Sequence, residues 1–120
     1  MTGPYDIQTE DLQVKSRREA DAVVLAIAGE VTVFSSPALR QVLRQAVGEH
    51  PGRLVLDLAG TTYIDSSGVA TLVEALQSTS RTKGKLVLAG MTDRVRGVFE
   101  IARLDTVFLT APTVQEALRT

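Results

Sequence analysis

The chain has 120 residues, of which 44% are hydrophobic and 22% charged, with a formal net charge of −1. A chain of this length fits one compact domain. The small net charge excludes nucleic-acid binding through a basic face, and the aromatic content of only 4% excludes a base-stacking platform. Because there is no cysteine, a single histidine, no apolar run of membrane-spanning length and no secretory signal at residues 1–6, we expect a cytoplasmic protein without metal, cofactor or membrane insertion.

The first part of the chain predicts two strands and a helix. Apolar and polar residues alternate over 12–15, which is typical of a half-buried strand, and the consecutive apolar residues at 23–27 indicate a strand covered on both faces. Ser36 is the predicted N-cap of the helix, and Pro37 suits its first turn. The helix is supported by an apolar stripe at Leu39, Val42, Leu43, Ala46 and Val47.

The rest of the chain alternates between strands and helices. Three further apolar runs predict strands at 54–58, 86–89 and 107–109. Helical spacing of apolar residues and capping patterns predict three helices, beginning at 65–68, at Thr92 or Asp93, and at the capping box 113–116.

The predicted order of elements is β-β-α-β-α-β-α-β-α. Alternating strands and helices with short connections indicate an α/β domain with a mostly parallel central sheet. The initial hairpin predicts an antiparallel strand at one edge, and about four helices are expected to cover the sheet. We assign residues 1–10 to a polar N-terminal segment and residues 11–120 to the single domain.

One constellation suggests chemistry, the run Asp65-Ser66-Ser67-Gly68 between a strand and a helix. Backbone N–H groups at a helix start lack intrahelical partners, so Asp65 or Ser66 can simply cap the helix. An exposed serine at the same place can instead carry a phosphate that the helix end tolerates. Glycine costs about 1 kcal/mol relative to alanine inside a helix. Gly68 therefore indicates a close approach to the backbone or a strained turn.

The segment 54–76, LVLDLAGTTYIDSSGVATLVEAL, resembles the signature of the STAS domain, especially that of the stand-alone bacterial anti-sigma factor antagonists. The run 27–31 resembles the strand-end Gly-Glu-Leu element of that family. The runs 37–40 and 99–104 resemble the start of its first helix and its third helix. The resemblance covers about residues 10–119.

The resemblance implies a phosphorylation switch and no enzymatic activity. In that family the first serine of Asp-Ser-[Ser/Thr]-Gly is phosphorylated by a partner serine kinase that is also the anti-sigma factor. By position, Asp65 matches the family aspartate, Ser66 the phosphorylated serine, Ser67 the neighbouring hydroxyl and Gly68 the glycine. The unphosphorylated form is expected to bind the kinase and so to regulate transcription indirectly, and a PP2C-type phosphatase is a further implied partner.

The surface expected to bind the partner also includes Glu30 and Thr32. Many antagonists carry an aspartate two positions after the glutamate of Gly-Glu, where this chain has Thr32. Threonine in place of this aspartate does not disturb the expected fold, but it leaves the identity of the partner undetermined. The alternative is a STAS accessory subunit of an ABC-type lipid transport complex that docks on its ATPase.

A hydrolase site around Ser66 is not expected. A nucleophilic serine needs a base beside it. The sole histidine, His50, lies in the turn His50-Pro51-Gly52, which should fall at the opposite end of the parallel strands. Neither a Gly-x-Ser-x-Gly elbow nor a phosphate loop is present.

Overall fold

A computed structural model describes residues 3–120. The strands are β1 Ile7–Gln8, β2 Leu12–Glu19, β3 Ala22–Val31, β4 Arg53–Asp57, β5 Thr61–Ile64, β6 Lys85–Ala89 and β7 Leu109–Ala111. The helices are α1 Ser36–Gly48, α2 Ser66–Arg81, α3 Asp93–Ile101 and α4 Val114–Ala117. Across the described residues, none of these helices has the length and apolar character required to cross a membrane.

The strands form one sheet in the order β1-β2-β3-β4-β6-β7, with β5 paired to β3. The β1–β2 and β2–β3 pairs are antiparallel, whereas the β3–β4, β3–β5, β4–β6 and β6–β7 pairs are parallel. The structure thus confirms the predicted α/β class, the mostly parallel sheet with its antiparallel edge, and the four helices.

Two apolar clusters hold the helices on the sheet. The larger one lies under α1, α2 and α3, and includes Leu25, Leu56 and Phe99, each no more than 1% exposed. The smaller one lies under α4 and includes Val55 and Ala117, both fully buried. Burial on both sides explains why β3, β4 and β6 are apolar at consecutive positions.

The long strand β3 positions the site. Its first half, Ala22–Ala26, pairs with β4, and its end pairs with β5 after a register shift between Gly29 and Glu30. Gly29 has φ +104°, and a Cβ there would collide with the Asp11 carbonyl oxygen, so a glycine is needed at this bulge. The bulge lets β3 continue beside β5 to the point where α2 begins.

Several predicted boundaries were wrong. The short strands β1 and β5 were not predicted, and the last strand covers 109–111 instead of 107–109. The first helix begins at Ser36, and its N-cap is Ser35, whose side chain makes no capping hydrogen bond. The Ser35 hydroxyl is already engaged in the loop before the helix, where it accepts from the Thr32 N–H at 2.9 Å and donates to the Glu30 carbonyl at 2.7 Å.

Candidate functional site

Asp65 organises the junction between β5 and α2. It is the N-cap of α2, and its Oδ1 accepts from the backbone N–H groups of Ser67 at 2.9 Å and Gly68 at 3.1 Å. The capping question left open by the sequence is therefore resolved in favour of Asp65. Its Oδ2 accepts from the N–H of Val33 at 3.1 Å, and its own N–H donates to the Val31 carbonyl at 3.0 Å. One carboxylate thus ties the start of α2 to the loop between β3 and α1.

That loop, residues 32–35, is held internally as well. The Thr32 carbonyl accepts from the N–H groups of Ser35 and Ser36, and the Thr32 hydroxyl accepts from the Phe34 N–H at 3.2 Å. This hydrogen bond from Phe34 to Thr32 closes a short local turn of the kind that aspartate side chains also form. The absence of the family aspartate at this position therefore leaves the turn intact and removes one negative charge beside the site.

The two serines of the motif differ in their exposure. Ser66 is the first residue of α2 and is exposed, whereas Ser67 is half-buried. Both hydroxyls lie at the helix start, but the N–H groups of Ser67 and Gly68 are already engaged by Asp65. A group attached to the Ser66 oxygen therefore projects from the surface and cannot take over the capping bonds without displacing Asp65.

Gly68 lies beneath this surface and is buried. A Cβ at this position would be 2.6 Å from the Ile64 Cγ1 and 2.7 Å from the Val31 Cγ1. These distances are too short for carbon atoms, so the glycine permits α2 to pack against the ends of β3 and β5. The close approach predicted from the sequence is made by the chain itself.

Exposed apolar side chains lie on the segments next to the exposed serine. Val33 and Phe34 project from the loop that Asp65 anchors, with 57% and 87% of their surface exposed, and Tyr63, two residues before Asp65, is 44% exposed. A shallow apolar groove of about 680 Å³ begins at Ser66 and runs between α2 and α3, lined chiefly by Val69, Val73, Val98, Ile101 and Leu104. Clustered exposed apolar residues of this kind mark protein interaction sites.

The charged groups at this surface are acidic. Glu30 is exposed and is the register partner of Tyr63, while the Asp65 carboxylate lies at the helix start. Neither carboxylate forms an ion pair with any group in residues 3–120. The described part of the chain also holds no cluster of three or more residues suited to bind a metal ion.

His50 is far from the serine. It follows α1 and precedes β4, whose first residue pairs with Ala22, whereas Ser66 follows β5, whose last residue pairs with Val31. Ala22 and Val31 are the two ends of β3, roughly 30 Å apart at the rise of an extended strand. The predicted placement of His50 at the opposite end of the sheet is confirmed, and this histidine cannot act as a base for Ser66.

The structure brings five of the six predicted partner-binding residues to one surface, namely Glu30, Thr32, Asp65, Ser66 and Ser67. Gly68 is buried below them and can affect a partner only through the backbone shape. Sequence reasoning missed the exposed Val33 and Phe34. Their signal was present, since two bulky apolar residues occupy a segment that continues neither the strand nor the helix pattern.

The fold and this surface define a small α/β interaction domain with an exposed serine at a helix start. A model of the STAS domain matches residues 12–117, which is most of the chain. The chain therefore belongs to the STAS domain family.

Individual relatives are similar over most of their length. The anti-sigma-B factor antagonist of Listeria monocytogenes is 29% identical over 96 residues, which are 80% of this chain and 83% of that protein. The crystal structure of an anti-sigma factor antagonist from Mycobacterium paratuberculosis matches with a TM-score of 0.84 at 22% identity, over 99% of this chain and 97% of that one. The phosphorylated form of the Bacillus cell fate determinant SpoIIAA matches with a TM-score of 0.69 at 18% identity, over 90% and 96% of the two chains. The two solved structures show a common fold.

Proposed function

We propose that this chain is an anti-sigma factor antagonist. In its unphosphorylated form it binds an anti-sigma factor that is also a serine kinase, and phosphorylation of Ser66 releases it, so that it regulates transcription indirectly. The observation that carries the proposal is the exposed Ser66 on a surface that Asp65 holds rigid. The similarity to a Listeria anti-sigma-B factor antagonist supports the same role.

Phosphorylation of Ser66 would change the charge of this surface more than its shape. A phosphate adds about −1.5 to −2 charges at pH 7. The N–H groups of Ser67 and Gly68, which could otherwise bind it, are engaged by Asp65, and the Asp65 carboxylate repels it. The helix dipole offsets roughly 0.3–1 kcal/mol of this repulsion. Because these opposed effects are small, the domain stays folded and the phosphate remains directed toward the partner.

At an interface the same charge has a larger effect. Two like unit charges about 4 Å apart cost about 4 kcal/mol at an effective dielectric constant of 20. A phosphate on Ser66 meets this cost where the partner places a carboxylate opposite the serine, and its hydration shell also interrupts the apolar contact that the serine hydroxyl permits. Retaining about 2.8 kcal/mol of that cost after screening weakens binding about a hundredfold.

In the unphosphorylated form the exposed apolar side chains supply the affinity for the partner, which the phosphate then lowers. Phe34 is almost fully exposed, and aromatic residues on a rigid loop are typical anchors of protein interfaces. Val33 projects from the same loop, and the groove beside Ser66 provides a second apolar area. A PP2C-type phosphatase would restore the serine hydroxyl and with it the binding surface.

Mapping of the phosphorylation site tests the proposal. The chain, Ser66→Ala and the matched control Ser67→Ala are incubated with candidate anti-sigma factor kinases and ATP, and the products are mapped by mass spectrometry. We expect one phosphate on Ser66 in the unmodified chain and in Ser67→Ala, and none in Ser66→Ala. Phosphate at another residue would contradict the assignment of the site.

The same preparation separates the proposal from the transport alternative. Binding of each form to the candidate kinase and to an ABC-type ATPase is compared. Tight binding to the ATPase that does not depend on the state of Ser66, together with no binding to the kinase, would favour an accessory subunit of a transport complex. Binding to the kinase that phosphorylation abolishes supports the antagonist.

A further inference from the structure

A second groove lies on the other side of α2, between α1 and α2. The two helices run parallel, since Arg40 of α1 contacts Thr71 of α2 and Arg44, one turn later, contacts Glu74. The groove extends along α2 from Thr71 to Arg81, which is about 15 Å at the helical rise. Its floor is apolar, formed by Leu43, Val47 and Ala75.

This groove carries an excess of positive charge. Its lining contains three arginines, Arg40, Arg44 and Arg81, and one acid, Glu74, which gives a local charge of 3 − 1 = +2 with histidine neutral. The whole chain has a net charge of −1, so the groove is more positively charged than the protein as a whole. Both ends are basic, because Arg40 lies at the Thr71 end and Arg81 at the other.

The arginines retain donor capacity. Glu74 accepts from the Arg44 Nη2 at 3.0 Å and lies 3.2 Å from the Arg40 Nε, but the Arg40 N–H makes no hydrogen bond although the atom is buried. Arg81 contacts only the Ser78 hydroxyl, at 3.1 Å, and forms no ion pair within residues 3–120. Half-exposed ion pairs contribute little, so an incoming carboxylate can compete for these guanidinium groups.

The dimensions favour a segment of protein over a small molecule. The groove measures about 250 Å³, below the roughly 300–1,000 Å³ of pockets that enclose small ligands. It is open along its length, and about 15 Å corresponds to nearly three turns of a helix. A helix laid in it would insert apolar side chains over Val47 and Ala75 while its acidic residues meet the arginines at both ends.

We propose that the α1–α2 groove docks an acidic amphipathic helix of a partner protein. This site goes beyond the function of Ser66. Its lining does not include Ser66, and it occupies the α1 side of α2, whereas the apolar groove at Ser66 occupies the α3 side. The groove therefore stays available whether or not Ser66 carries a phosphate.

Fluorescence anisotropy with a designed probe tests this site on the full chain. The probe is a fluorescein-labelled helical peptide of about 15 residues with leucines on one face flanked by glutamates, and its control carries lysines in place of the glutamates. We expect the acidic peptide to bind at least about tenfold more tightly at about 20 mM salt, with a preference that shrinks as salt is raised. The amide shifts that it causes should fall within residues 40–50 and 71–82.

Matched charge reversals separate the groove from general electrostatics. The double variant Arg44→Glu/Arg81→Glu should weaken binding of the acidic peptide about tenfold or more, whereas Arg94→Glu/Arg119→Glu, which changes the net charge equally, should alter it less than about twofold. Ser66→Asp should also leave it within about twofold.

Four results would overturn the proposal. They are equal binding of the acidic and lysine peptides, equal weakening by the two double variants, amide shifts outside the groove, and saturation of the groove by decanoate without peptide binding. The last result would identify a small amphiphilic anion as the occupant.

Discussion

Replacing Asp65 with alanine should destabilise the domain more than the loss of an ordinary N-cap. The change removes both hydrogen bonds to the start of α2 and the bond from Val33, which anchors the loop before α1. Loss of an N-cap costs about 0.5–2 kcal/mol, and hydrogen bonds to a charged group contribute about 1.5–3 kcal/mol. Because these contributions overlap, we expect a loss of about 2–3 kcal/mol.

Urea unfolding measures this loss. With a slope of about 2 kcal/mol per molar, the midpoint should fall by about 1–1.5 M while the slope is unchanged. Asp93→Ala is the matched control, because Asp93 also lies at a helix start but is fully exposed, and α3 is capped by the Thr92 hydroxyl instead. If Asp65→Ala shifts the midpoint no more than Asp93→Ala, the role of Asp65 as the anchor of the site is refuted.

Three further predictions concern packing, acid stability and partner affinity. Gly68→Ala should destabilise the domain by about 1–3 kcal/mol through overpacking. Gly97→Ala should instead stabilise it by about 0.5–1 kcal/mol, because a Cβ at this position in the middle of α3 meets no atom within 4 Å. Thermal melts should therefore shift in opposite directions for the two variants, and shifts of equal sign would contradict the packing described for Gly68. Hydrogen bonds from the N–H groups of Gly3 and Ser16 lower the pKa of Asp6, so its stabilising effect is present above the ordinary carboxyl pKa and is lost as the pH falls through the lowered value. Asp6→Asn should therefore reduce the loss of urea resistance between pH 6 and pH 3, and an unchanged pH dependence would exclude this role. Phe34→Ala should leave the melting temperature unchanged but weaken kinase binding about tenfold or more. Leu109→Ala, on the distant edge strand, should leave kinase binding unchanged. If the two variants bind the kinase with equal affinity, Phe34 is not part of the interface.

The parallel core of the fold could be predicted from the sequence because its signals are local. Nearly continuous apolar residues at 54–58 and consecutive ones at 86–89 mark strands buried on both faces, and helical spacing marks α1 and α2. The strand β5 escaped prediction because Thr61–Ile64 is short and places exposed Thr62 and Tyr63 between buried ends. Its pairing depends on the register shift beside Gly29, a residue of the distant strand β3.

The candidate site was predictable in its residues but not in its geometry. The order strand, Asp-Ser-Ser-Gly, helix placed Ser66 at a helix start, and the glycine indicated a close approach or a strained turn. Which residue caps the helix depends on side-chain direction, which the residue types Asp65 and Ser66 leave undecided. The bond from Val33 to Asp65 joins residues 32 positions apart, so only the tertiary structure shows that the loop and the helix start form one surface.

The capping error at α1 has a similar cause. Ser35 and Ser36 are both good N-cap residues, and local preference cannot rank them. The choice is made by the loop before the helix, in which the buried Ser35 hydroxyl bonds to Thr32 and Glu30 instead of to the helix.

The affinity of the partner kinase for the two states of Ser66 tests the central claim most directly. Calorimetric titration would compare the unphosphorylated chain, the chain phosphorylated at Ser66, and Ser66→Ala. The proposed switch predicts equal affinity for the unphosphorylated chain and Ser66→Ala, and about a hundredfold weaker binding of the phosphorylated chain, with an unchanged melting temperature. Equal affinity of the phosphorylated and unphosphorylated chains would contradict it.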